Sequence, residues 1–133
     1  MTQTGQDAPM IRHIDDYPWE THDGNEPHDN VIRWKLLVDA DRTPSHGFSL
    51  GILELPPGGV LQPHRHTPQE VCCIYRGTGK LRLGSKVQEV TAGTIVFIPQ
   101  DHVHGIENIG ETPLSLLWIF PTDAWSDVEY RFL

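Results

Sequence analysis

His64 and His66 stand one residue apart, Glu70 follows after three more, and His104 lies far along the chain. Neutral imidazole nitrogens and a carboxylate oxygen are metal ligands, and these four residues form a ligand set. In an extended segment side chains alternate between faces, so His64 and His66 project together at a spacing that one ion can bridge. Glu70 has the same parity, with Pro68 bending the segment between them. His104 has to arrive from another strand. Mixed imidazole and carboxylate donors suit iron, nickel, manganese, zinc or copper rather than calcium, whose sites are built almost wholly from oxygen. The expectation is one divalent transition metal, restricted but not named by its ligands.

Other residues near this set could take part in chemistry. Continuing the parity of Glu70 turns Cys72 inward and Cys73 outward, so Cys72 is either a pocket thiol or a small core filler. His102 sits two residues before His104. It could be a fifth ligand, a proton shuttle titrating near neutral pH, or a rim residue on the Pro99-Gln100-Asp101 turn. Gln62 and Gln69 flank the ligands and could orient water, oxygen or substrate, or lie on the surface. Trp118 and Phe120 share a parity in the last long apolar run, and with Trp34 they could form core or a substrate platform. No basic side chain is placed at the set, so capture of an anion by Arg33, Arg76 or Arg82 has no support.

The elements that must position these residues are short and extended. Val31–Val38 and Phe48–Leu55 alternate as strands do, and Pro56-Pro57-Gly58-Gly59 stops the second run. Further strands are expected at Val71–Tyr75, Lys80–Leu83, Val87–Val90, Thr94–Ile98, Val103–Asn108 and Leu114–Phe120. Gly77-Thr78-Gly79, Gly84-Ser85, Ala92-Gly93 and Gly110-Glu111 supply turns. No segment carries a sustained helical stripe, and Asp123–Glu129 is long enough only for a short helical turn. The pattern predicts an all-β barrel or sandwich.

The same residues carry a resemblance. Gly58, five residues, His64, one, His66, three, Glu70, six, Gly77 is similar to the first motif of the cupins. Gly93, five residues, Pro99, one, Asp101, two, His104, three, Asn108 is similar to the second, with Asp101 where glycine is usual. Aspartate tolerates a positive φ better than most residues, so this departure leaves the turn intact. The resemblance covers roughly residues 47 to 121 and implies a double-stranded β-helix, or jelly-roll, barrel holding one divalent ion. It also implies that His64, His66, Glu70 and His104 are the ligands. One cupin group, the dimethylsulfoniopropionate lyases, resembles the chain in the ligand motif. There the residue two beyond the ligand glutamate is a tyrosine acting as base; here it is Cys72, and that activity loses support.

At 133 residues the chain is long enough for one core. Residues 1–28, rich in Asp, Glu, Pro, His and Gly with anchors at Ile11, Ile14, Tyr17 and Trp19, are expected to form an irregular arm, and residues 29–133 the barrel. His13, His22 and His28 in the arm are read as solvated. A net charge of -8 argues against nucleic acid, which needs clustered Lys and Arg. No apolar run could span a bilayer, and the polar start Met1–Asp7 lacks the regions of a signal peptide, so no membrane and a cytoplasmic location are expected. Adjacent Cys72 and Cys73 could not form an ordinary disulfide. No nucleophile triad, phosphate loop or dinucleotide fingerprint occurs.

Three imidazoles and one carboxylate leave up to two positions of an octahedral ion for substrate, water or dioxygen. An oxygen-using dioxygenase acting on a small organic molecule is therefore the leading expectation. A redox-neutral lyase, decarboxylase, isomerase or cyclase and a non-catalytic binder or sensor are the alternatives. Cupins commonly pair through their sheets, and a homodimer is expected.

Overall fold

A computed structural model describes residues 9–24, 26–28 and 30–133. Residues 1–8, on which the expectation about a signal peptide rests, lie outside the described residues. The strands are β1 (Glu20–Thr21), β2 (Arg33–Val38), β3 (Ser49–Leu55), β4 (Val60–Arg65), β5 (Glu70–Arg76), β6 (Thr78–Leu83), β7 (Lys86–Thr91), β8 (Ile95–Ile98), β9 (His104–Asn108), β10 (Leu114–Phe120) and β11 (Arg131–Phe132). They build two antiparallel sheets, in the orders β1-β2-β3-β10-β5-β8 and β11-β4-β9-β6-β7. Placing β10 between β3 and β5, and β9 between β4 and β6, winds the chain as a jelly roll, as the sequence led us to expect. Trp125–Asp127 is the short 3-10 turn expected near the C-terminus. Among the described residues no helix is long and apolar enough to cross a membrane.

Alternation along each strand decides what fills the interior. On one sheet Trp34 pairs with Leu53, Leu53 with Leu116, and Leu116 with Ile74, which gives a continuous apolar row across four strands. The next inward row is Trp118, Cys72 and Val96. On the other sheet Leu61 pairs with Ile106 and Ile106 with Leu81. These rows face each other across the barrel, and Phe120, Leu55, Ile74 and Leu114 close its core at 0–1% exposure.

The described part of the arm lies along the barrel. β1 pairs with β2 through Glu20–Trp34 and Thr21–Arg33, the Tyr17 hydroxyl donates to the Leu37 carbonyl at 2.9 Å, and Lys35 Nζ donates to the Ile14 carbonyl at 2.9 Å. Trp19 lies under Arg33 and Lys35 as a cation–π platform. Of the arm anchors seen in the sequence, Tyr17 and Trp19 fasten the arm to the sheet through their side chains and Ile14 through its carbonyl, whereas Ile11 is fully exposed and anchors nothing.

One irregularity sets the register of the centre. Leu61 pairs with Ile106 and His64 with His104, so β4 spends one more residue than β9 over the same distance. The extra residue is accommodated over Gly105, where an added Cβ would lie 2.9 Å from the Leu61 carbonyl oxygen and 3.0 Å from Pro63 N. Only a residue without a side chain lets the β4 backbone approach so closely. Gly105→Ala is therefore expected to lower stability by about 1–3 kcal/mol and to weaken metal retention, because the bulge that aims His64 has to shift. Thermal unfolding and metal content of parent and variant check this.

Candidate metal centre and its cavity

His64 and His104 face each other across β4 and β9, while His66 and Glu70 close the gap toward the second sheet. The three imidazoles place their ligand atoms within 4.8 Å of one another, and His64, His66 and His104 are 1%, 1% and 5% exposed. Glu70 Oε1 lies 3.0 Å from His66 Nε2 and 3.5 Å from His104 Nε2. The structure thus brings together all four residues that the spacing singled out.

Each ring is oriented from behind by a nearby backbone carbonyl. His64 Nδ1 meets the Gln62 carbonyl at 2.7 Å, His66 Nδ1 the Pro68 carbonyl at 2.8 Å, and His104 Nδ1 the His102 carbonyl at 2.9 Å. A carbonyl only accepts, so each Nδ1 carries a proton and donates it, which leaves each Nε2 as the atom that would present a lone pair to an ion in the centre. A lone pair and a carboxylate oxygen held 3.0 Å apart repel unless a proton or a cation stands between them. The donor set fits a divalent ion, with His64, His66, His104 and Glu70 as its holders.

The electrostatics agree. Burial pushes the pKa of His64 down to about 4, outweighing the pull of the Gln62 carbonyl. At His66 burial also works against the charged ring, but the hydrogen bond and charge of Glu70 prevail and leave its pKa above the ordinary value. At Glu70 burial works to raise the pKa, yet hydrogen bonds from His104, His66 and Cys72 dominate and hold the carboxyl at about 2; without an ion a proton on the facing Nε2 makes the imidazole bonds, and a bound cation would take that proton's place. The carboxylate is thus anionic at neutral pH, as a ligand must be.

Cys72 supplies the last of those bonds, its Sγ donating to Glu70 Oε2 at 3.0 Å. Burial first, then the charge of Glu70, holds this thiol well above its usual range, so Cys72 stays protonated. Its role is to orient the carboxylate rather than to attack as a thiolate. Cys72 and Cys73 are both free thiols.

A cavity of about 310 Å³ opens onto the centre, lined by His64, His104, Glu70, Cys72 and Trp118 together with apolar side chains, and His22 of the arm, exposed as the sequence suggested, also borders it. Tyr130 enters it from the C-terminal segment, stacked on His64 with centroids 4.9 Å apart, and its hydroxyl accepts from Trp125 Nε1 at 3.0 Å. β11 pairs with β4 beside His64 and carries Phe132 to the same wall. Trp125, Tyr130 and Phe132 were not singled out from sequence. The alternation of Tyr130 and Phe132 past the last long strand was the signal that could have found them.

For three residues the surface alternative holds, and the pocket role of Gln62 and Gln69 and the catalytic role of His102 are corrected. Gln62 is exposed, because the β4 bulge breaks the parity that would have turned it inward and puts Leu61 on the wall instead. Gln69 is exposed as the outward neighbour of Glu70 and borders a shallow outer groove with Phe48 and Phe97. His102 is exposed on its turn, with Nδ1 3.3 Å from the Gln100 carbonyl and its ring off the cavity wall. It serves the centre through its backbone carbonyl, which holds His104. Asp101 takes the positive φ of 61° anticipated for it, and its N–H donates to the His66 carbonyl at 2.9 Å.

A family model described as "Cupin domain" matches residues 51–120. The chain belongs to the cupin family. It is 33% identical to a dimethylsulfoniopropionate lyase of Ruegeria pomeroyi over 82% of this chain and 71% of the lyase. It is 35% identical to an uncharacterised protein of Methanocaldococcus jannaschii over 84% of this chain and 86% of that protein. A polyketide cyclase from Streptomyces resistomycificus superposes with a TM-score of 0.77 at 23% identity, covering 95% of this chain and 86% of the cyclase. At that identity the cyclase speaks for the fold alone. The likeness to a dimethylsulfoniopropionate lyase, expected from the ligand motif only, extends over most of this cupin. In this cupin Cys72→Ala should keep its fold and bind metal about 10-fold more weakly, because Glu70 loses the donor on its second oxygen. Metal titration monitored by calorimetry checks this, with Cys72→Ser expected to restore most of the affinity.

Proposed function

We propose that this cupin is a metal-dependent enzyme carrying out a redox-neutral reaction, an elimination, decarboxylation, isomerisation or cyclisation, on a small organic molecule. The observation that carries this reading is the cavity of about 310 Å³ that ends on His64, His104 and Glu70, because it gives a substrate a sheltered route to the centre. A divalent metal held by His64, His66, Glu70 and His104 would supply Lewis acidity toward a substrate oxygen. Tyr130 accepts from Trp125, which leaves its own hydroxyl proton to donate to that substrate beside His64. Trp118 and Trp125 exclude water. The lyase relative, matched over most of its length, supports the elimination branch most directly.

An oxygen-using dioxygenase is the second reading. The ligand set favours it, since three imidazoles and one carboxylate leave up to two positions of an octahedral ion for substrate and dioxygen. The unpaired thiols of Cys72 and Cys73 suit a cytoplasmic setting for either reaction. Protein loaded separately with iron, nickel, manganese, zinc and copper separates the readings when offered dimethylsulfoniopropionate, enols and hydroxy- or keto-bearing aromatics. Product formed without oxygen is expected, with Tyr130→Phe lowering kcat/KM about 10-fold at unchanged metal content. Oxygen uptake matched to product would select the dioxygenase, and no turnover with any metal would select a binding protein.

We also propose that the cupin is a homodimer. Ile119 pairs with Val71 and Val71 with Phe97 on the outer face of the six-stranded sheet, and these three side chains are 44%, 37% and 55% exposed. Ile95 and Tyr75 extend this apolar row beside β8, the strand at the end of the sheet. Phe97→Glu should convert the dimer to a folded monomer in light scattering. A parent chain that is monomeric at high micromolar concentration would overturn the assignment.

A further inference from the structure

Most polar groups of the cavity gather at one end, and outside that group His22 of the arm, an exposed residue, also borders it. His64, His104, Glu70 and Cys72 are joined by the contacts described above, and Tyr130 stacks on His64. Beyond them the wall is apolar, with the row Leu61, Ile106 and Leu81 facing the row Trp34, Leu53 and Leu116. Among the described residues no lysine, arginine, asparagine, glutamine, serine or threonine lines this cavity. A substrate carrying charged or hydroxyl groups along its whole length would lose their hydration on entry and find, beyond the centre, His22 alone among the described lining side chains to replace it.

Two features give the apolar end a shape. Trp125 stands edge-on to Trp34 with centroids 5.4 Å apart and tilted to Trp118 at 5.5 Å, so three indoles form one side. The Trp118 ring lies over the bare Cα of Gly51, where a Cβ would collide with it. This leaves a slot between an aromatic side and an aliphatic side, which suits a flat body. The indole N–H of Trp118 is buried without a hydrogen-bond partner in a side chain that is 5% exposed. An unpaired buried donor is costly, and here it lies within the packed aromatic side rather than on the open face of the slot.

We infer that the substrate is an uncharged, flat, mostly apolar molecule of the hydroxy- or keto-bearing aromatic class, with its chelating oxygens at one end. The inference rests on the metal-centred reading above for the placement of that end. The apolar end of the slot stands independently of it. Beyond the centre, with His22 as the exception, the described wall residues offer nothing that selects a small, uniformly polar chelator.

Calorimetry on zinc-loaded protein tests this with three probes: 2,3-dihydroxynaphthalene, which has both the chelating edge and the flat body; tartrate, which chelates but has no apolar body; and 2-methoxynaphthalene, which has the body alone. The expected result is that 2,3-dihydroxynaphthalene binds at least about 10-fold more tightly than tartrate. Leu81→Asn should remove most of that advantage while leaving tartrate binding and zinc content unchanged. Tartrate binding as tightly as 2,3-dihydroxynaphthalene, or a preference untouched in a folded Leu81→Asn, would overturn the inference. Should the chain fail to hold zinc, the metal reading falls by itself. In that case 2-methoxynaphthalene is still expected to bind metal-free protein and quench its tryptophan fluorescence, and absence of that binding would refute the aromatic slot.

Discussion

A carboxylate buried between two imidazole nitrogens demands positive charge at that point, and the interior of this barrel is arranged around that demand. Glu70 is 7% exposed, with His66 and His104 at 3.0 and 3.5 Å. An isolated ionised carboxylate in such surroundings would be prohibitively unstable. The rings cannot simply turn away, because the Gln62, Pro68 and His102 carbonyls hold their other nitrogens. Each of those carbonyls lies two residues from the ring it anchors. Orientation of the ligands is therefore encoded in local backbone geometry and needs no distant partner. The ion that satisfies the centre would add its binding energy to folding, since the unfolded chain offers no comparable cage.

The ligand set was legible in the sequence because imidazole spacing and strand alternation are local properties. Most strands were legible for the same reason, bounded by their Gly and Pro turns. Parity failed where its premise failed. The bulge between Leu61 and His64 is a property of two strands and of Gly105 on the facing one, so Gln62 could not be placed from its own segment. His102 sits on the rim, one of the placements its sequence allowed, but its contribution escaped notice because the relevant group is its carbonyl rather than its ring. Tyr130 and Phe132 escaped notice because they reach His64 through the path of the C-terminal segment, which pattern rules for single strands do not describe. Lys35 and Glu54, buried at 5% and 7%, gave no sequence signal either; the arm carbonyl of Ile14 and the Arg33 guanidinium explain them once the sheet edge is seen.

The division between centre and wall follows from alternation. In β5, Glu70, Cys72 and Ile74 face inward in succession: a ligand, the donor that orients the ligand, and a wall residue. In β9, His104 and Ile106 repeat the sequence of ligand and wall. A change two residues from a ligand can therefore alter the cavity while leaving the ion's cage in place. This separation lets one barrel carry the different activities named among the proteins this cupin resembles.

The wall also acts on the centre it borders. Apolar side chains keep the local dielectric low, which strengthens every interaction that His64, His66, Glu70 and Tyr130 make with charge in the cavity. The same walls that exclude a polar substrate thus sharpen the field felt by the one admitted. Trp125 joins both effects, since its ring forms one side of the slot while its Nε1 fixes the hydroxyl of Tyr130 beside His64. Shape selection and the placement of the proton donor are in this way set by one side chain, and a substrate that fails to fill the slot also fails to meet the hydroxyl.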